Sequence, residues 1–89
     1  MYYNRNMYYL YVIYSSKYAR FYVGSTNNTE RRLLSHNRGE NSATKPYTPW
    51  DLVYFEAYPT KEDAIRREMK LKKHGQALRQ IKSRITLVD

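Results

Sequence analysis

The chain has 89 residues, room for one domain and too little for two. It contains no cysteine, which excludes a disulfide framework, a thiolate metal site and a cysteine nucleophile. Sixteen Lys and Arg against eight Asp and Glu leave a net charge of +8, a field that attracts polyanions, nucleic acid before anionic membrane.

In chain order, Met7–Tyr14 (MYYLYVIY) is wholly aromatic, aliphatic or β-branched and reads as a strand. Ser15–Ala19 is polar enough to turn, and Arg20–Val23 reads as the returning strand, closed by Gly24. Asn27 or Asn28 then caps a helix that has Glu30 in its first turn and Gly39 at its stop. Asn41–Pro49 holds two prolines and no periodicity, so it is a loop. Leu52–Tyr58 is a third strand, ended by Pro59. Thr60 followed by Asp63 opens a helix through Lys73, which Gly75 breaks. Leu78, Ile81 and Ile85 give helical spacing to a short last helix, Ala77–Ile85. The order β-β-α-β-α-α predicts an α+β fold, a three-stranded antiparallel sheet flanked by helices, as one domain over residues 1–89.

Side chains alternate faces along a strand. Leu10 and Val12 share one face of the first strand, and Tyr9, Tyr11 and Ile13 share the other. If the aliphatic faces of both strands meet the core, Tyr11 and Tyr22 emerge together on the opposite face. Half-buried strand tyrosines need no function, because β-propensity favours them anyway. Arg32 and His36, four apart, project from one helix face; the pair suits a phosphate grip or an ordinary solvated surface equally.

On the Thr60–Lys73 helix, counted from Ala64, Glu68 falls at about 40°, inside an apolar stripe made with Ile65, Met69 and Leu71. An inward carboxylate persists only with a partner, either a structural Lys or Arg or a hard divalent cation. Three glycines form no phosphate-binding loop, and two histidines cannot make a three-histidine metal site.

Tyr9-Leu10-Tyr11 and Tyr22-Val23-Gly24 in a hairpin, then Arg32 and His36 on "ERRLLSHN" and Glu68 in "AIRREMKLKK", resemble the GIY-YIG nuclease superfamily from about Met7 to Ile85. The likeness is greatest to small stand-alone bacterial members related to the N-terminal nuclease domain of the excision-repair protein UvrC. Tyr9 and Leu10 depart from the glycine and isoleucine of the first motif. Arg32 is preferred to the adjacent Arg31 by its offset from His36. The resemblance implies a structure-specific or weakly sequence-specific endonuclease that hydrolyses DNA phosphodiesters with Mg²⁺ or Mn²⁺. It also implies the roles. Glu68 holds the metal, Arg32 neutralises charge on phosphorus, and Tyr11 or Tyr22 is the base. His36 bonds a tyrosine or the phosphate.

Backbone binding is expected from Arg66, Arg67, Lys70, Lys72, Lys73, Arg79, Lys82 and Arg84, where eight cations face one acid. Arg20, Lys45 and the loop with Trp50 add contacts, including stacking on an unpaired base. The alternatives are a catalytically silent nucleic-acid-binding domain and a module active only within a repair assembly, beside a repair-protein partner. No apolar run nears the roughly 20 residues that span a bilayer, and Met1–Met7 lacks a signal-peptide core, so the expected compartment is the cytoplasm.

Overall fold

The computed structural model describes residues 6–85. The elements are β1 (Tyr8–Ser15), β2 (Arg20–Thr26), α1 (Thr29–Asn37), a 3₁₀ turn (Lys45–Tyr47), β3 (Asp51–Tyr58), α2 (Lys61–Lys73) and α3 (Gly75–Lys82). The sheet is antiparallel in the order β2-β1-β3, so the first strand is central and β2 and β3 are its edges. The α+β architecture and element order are those expected from the sequence.

Some boundaries differ, β1 and β3 by a single residue. β2 runs through Gly24 to Thr26 instead of stopping at the glycine. Gly75 opens α3 instead of separating it from α2, and α3 ends at Lys82. The loop after α1 contains a 3₁₀ turn with Pro46 in its first positions. The caps follow the sequence: Asn28 Oδ1 accepts from the Arg31 amide at 3.1 Å, and Thr60 Oγ1 from the Asp63 amide at 3.2 Å. Gly39, at φ +76°, lets α1 end in a Schellman motif. Its amide donates to the His36 carbonyl and the Glu40 amide to that of Ser35.

Both faces of the sheet are covered. Leu10, Val12 and Val23 pack under Leu71 of α2 and Ile81 of α3. On the other face Tyr11 and Ile13 pack with Trp50, beside Tyr22, Leu33 and Leu52. The parity predicted for the tyrosines is correct, but their face is not open: Tyr9 through Ile13 are all buried. The stripe on α2 is also narrower than expected. Ala64 and Leu71 are buried, whereas Ile65 and Met69 are exposed. Glu68 therefore sits at the margin of the packed stripe, with its side chain 21% exposed.

Candidate active site

Register builds the site. Tyr11 stands opposite Gly24, and Tyr22 opposite Ile13, so both tyrosines lie on the face that α1 covers. A Cβ at position 24 would lie 2.5 Å from Tyr11 Cζ, so the phenol ring uses space that only glycine leaves free. From α1, Arg32 and His36 both reach the Tyr11 hydroxyl. Arg32 Nε donates to it at 3.3 Å, and His36 Nε2 lies 2.7 Å away. The i, i+4 spacing thus places both side chains on one group.

The protons in this cluster follow from the partners. Thr44 Oγ1 donates to the Asn41 carbonyl at 3.4 Å and lies 2.7 Å from His36 Nδ1. Nδ1 therefore carries the imidazole proton and donates to Thr44, and Nε2 accepts from the Tyr11 hydroxyl. With both ring nitrogens engaged, His36 bonds the tyrosine and presents no nitrogen to a phosphate. His36 is 0% exposed. Burial, then the Arg32 charge, lowers its pKa to about 4, so the ring is neutral at pH 7. Burial likewise pushes Tyr11 up to about 12, against the hydrogen bond and charge of Arg32. Tyr11 is held as a neutral phenol.

Tyr22 is half-buried and edge-on to His36, with ring centroids 5.2 Å apart. Glu68 belongs to α2, which packs on the opposite face of the sheet. Ser25 Oγ donates to Glu68 Oε1 at 2.7 Å, and Lys72 Nζ donates to Oε2 at 2.7 Å. The same ammonium lies 5.3 Å from the Tyr22 ring centroid. Ser25 and Tyr22 point to opposite faces of an edge strand, so Lys72 links the two faces around the free edge of β2. The five residues, expected to converge on one surface, do not share one: three share hydrogen bonds at Tyr11 and Tyr22 meets His36 edge-on, whereas Glu68 comes from the other side of the sheet and joins through Lys72.

Among the described residues no group of three or more His, Cys, Asp or Glu gathers to cage a metal. Glu68 fits a hard cation of the kind held through one carboxylate, with water and phosphate oxygens completing the shell. Its outer oxygen already attracts an ammonium, which shows where a cation is favoured.

The basic segment divides. Arg67 is paired within the fold: its Nε and a terminal nitrogen bond both oxygens of Glu56, at 2.9 and 3.1 Å. Tyr54 and Tyr58 donate to the same carboxylate. Burial acts to raise the Glu56 pKa, but these donors outweigh it and hold the carboxyl below its ordinary range. Lys72 belongs to the Glu68 pair, Arg66 bonds Asp63 at 2.9 Å, and Lys82 lies over the Phe21 ring. Lys70, Lys73, Arg79 and Arg84 are exposed. Trp50, expected as a stacking platform, is 3% exposed; its indole donates to the Thr44 carbonyl at 3.0 Å and it braces the site from below. Arg20 lies over the Tyr47 ring.

Sequence reasoning missed Thr44, Ser25 and the structural part of Lys72. Ser25 follows Tyr22-Val23-Gly24 directly, and Lys72 stands four residues after Glu68, an ion-pair spacing that was legible. Thr44 sits in an aperiodic loop and gave no signal.

A family model described as the GIY-YIG catalytic domain matches residues 7–82. A UPF0213 protein of Haloquadratum walsbyi is 36% identical over 73 residues, 81% of this chain and 81% of that protein. One of Bacillus licheniformis is 39% identical over 69 residues, 76% of this chain and 70% of that protein. The solution NMR structure of a UPF0213 protein from Bacillus halodurans is similar with a TM-score of 0.52 and 28% identity, covering 85% of this chain and 83% of that one. The family match takes in every strand and helix described above and the whole contact chain from Tyr11 to Glu68, and the chain therefore belongs to the GIY-YIG nuclease superfamily.

Proposed function

We propose that this chain is a metal-dependent endonuclease that hydrolyses DNA phosphodiester bonds, selecting DNA by shape more than by sequence, in repair or recombination. The observation that carries the reading is the joining of Tyr11, Arg32, His36, Tyr22 and Glu68 in one contact chain. Mg²⁺ or Mn²⁺ held by Glu68 would supply Lewis-acid polarisation of the phosphate and a clamp on its charge. Arg32 gives one N–H to Tyr11, and its remaining donors are available for phosphate oxygens as negative charge builds on them. Tyr11, buried and committed to His36, positions Arg32 and takes no proton from water. Tyr22 is half-buried, with a cation beside its ring, and is the tyrosine placed to activate water. The remaining exposed cations of α2 and α3 hold the phosphate backbone, and affinity should fall as salt rises, by roughly 0.9 in log–log slope per duplex contact.

Glu68→Gln tests this. It keeps the acceptor for Ser25 and removes the charge that a metal needs. Across a panel of branched, flapped, single-stranded and duplex DNA, Mg²⁺-dependent cleavage should disappear while DNA binding and melting temperature persist. Cleavage by the variant at the wild-type rate would refute the reading.

One observation favours a second reading. Lys72 already neutralises Glu68, as it would in a silent nucleic-acid-binding domain. In that case DNA binding would survive chelation and no DNA would be cut.

A further inference from the structure

Between α1 and the start of α2 lies an open cavity of about 560 Å³. Its wall includes Tyr8 of β1, Ser25 and Asn27 at the end of β2, Arg31 and Arg32 of α1, and Lys61 of α2. Ser25 and Arg32 also belong to the contact chain, the first through Glu68 and the second through Tyr11. A phosphodiester held by Arg32 would therefore have its neighbouring nucleotide in this cavity.

The charge of the wall suits that occupant. Arg31, Arg32 and Lys61 carry three positive charges, and among the described residues no carboxylate lies within ion-pair distance of any of them. Glu40, the acid on the wall, accepts a hydrogen bond from Ser35 at 2.8 Å. Arg66, Arg67 and Lys72, by contrast, are already paired. One arm of the Arg31 guanidinium is steadied by Asn27 Oδ1 at 2.9 Å, and its other donors are available to an anion. The volume falls in the usual range for small-ligand sites, roughly 300–1,000 Å³. The Tyr8 ring offers a flat surface to a sugar or base.

We propose that this cavity binds the nucleotide next to the bond that is cut, with Arg31 and Lys61 holding its phosphate. The proposal rests on the nuclease reading and adds a path to it. The strand runs between α1 and α2, and the outer cations of α2 and α3 touch only more distant backbone.

Isothermal titration calorimetry at low salt and without metal tests the site, using thymidine 3′,5′-bisphosphate, thymidine and inorganic phosphate as probes. The bisphosphate should bind more tightly than inorganic phosphate, and thymidine should not bind. Arg31→Ala and Lys61→Ala, both at exposed positions, should each weaken bisphosphate binding by roughly tenfold, the loss of a charge-assisted hydrogen bond. Arg38→Ala removes the same charge from the end of α1, off the cavity wall, and should leave binding unchanged. The site is overturned if the bisphosphate does not bind, if inorganic phosphate binds equally well, if both cavity variants bind normally, or if Arg38→Ala weakens binding as much. DNA cleavage that depends on Glu68, combined with any of those results, removes this site and leaves the nuclease standing. The expected binding in a chain that cuts no DNA removes the nuclease instead.

Discussion

Tyr11 and Gly24 stand opposite each other in the β1–β2 ladder, and the phenol ring fills the space that any side chain at position 24 would need. The ring cannot retreat easily, because its hydroxyl is tied to His36 and Arg32 and the residue is 2% exposed. Gly24→Ala should therefore destabilise the fold by about 1–3 kcal/mol, the usual cost of overpacking. It should also displace Arg32 and suppress cleavage. Chemical denaturation and a cleavage assay on the same preparation check both effects.

Lys72 holds the outer oxygen of Glu68 and would compete there with the proposed metal. The pair is partly exposed, 46% on the lysine side, so its attraction is modest. Lys72→Met should lower the Mn²⁺ concentration that half-saturates the protein by about two- to fivefold, the factor matching an exposed ion pair. Mn²⁺ binding followed by electron paramagnetic resonance would show it. Weaker Mn²⁺ binding in the variant would mean that the lysine assists the metal.

Acid should weaken the fold through His36. In the folded chain its pKa is lowered from 6.5 to about 4, whereas the unfolded chain takes up the proton near 6.5. Between these values the unfolded state binds the extra proton. Stability is complete above about pH 6.5 and falls towards pH 4, by about 3 kcal/mol from this group. Urea denaturation at a series of pH values should show the slope, and His36→Gln should flatten it. The Glu56 carboxyl, held below its ordinary range, loses its own contribution only at lower pH.

Arg67→Met should behave as a stability variant. It leaves the Glu56 carboxylate, which is 19% exposed, with two tyrosine donors and no cation. The expected cost is about 1–3 kcal/mol, below that of a fully buried pair. DNA affinity at a temperature where the variant stays folded should change less than in Lys70→Ala. The two titrations side by side decide between a brace and a DNA contact.

The parts of this molecule that sequence made legible are those governed by local periodicity. Strand parity put Tyr11 and Tyr22 on one face, and helical spacing joined Arg32 to His36. Gly24 misled because glycine signals both a turn and a close approach, and here the second holds. The role of Arg67 was invisible because Glu56 lies eleven residues back on a different element, and only folding brings them together. Ile65 and Met69 joined a stripe by angle alone, but α2 packs along a narrower line through Ala64 and Leu71.

The donors that run from Arg32 through Tyr11, His36 and Thr44 end on the Asn41 carbonyl. A carbonyl oxygen has no proton of its own to hand on, and a guanidinium does not give one up at any pH where proteins stay folded. Both ends are closed, so the run is an insulator rather than a wire. It fixes the orientation of every group along it and conducts nothing. In the proposed hydrolysis, a proton taken from water would therefore have to leave by another route, and Tyr22, half-buried beside the exposed Lys72, offers one.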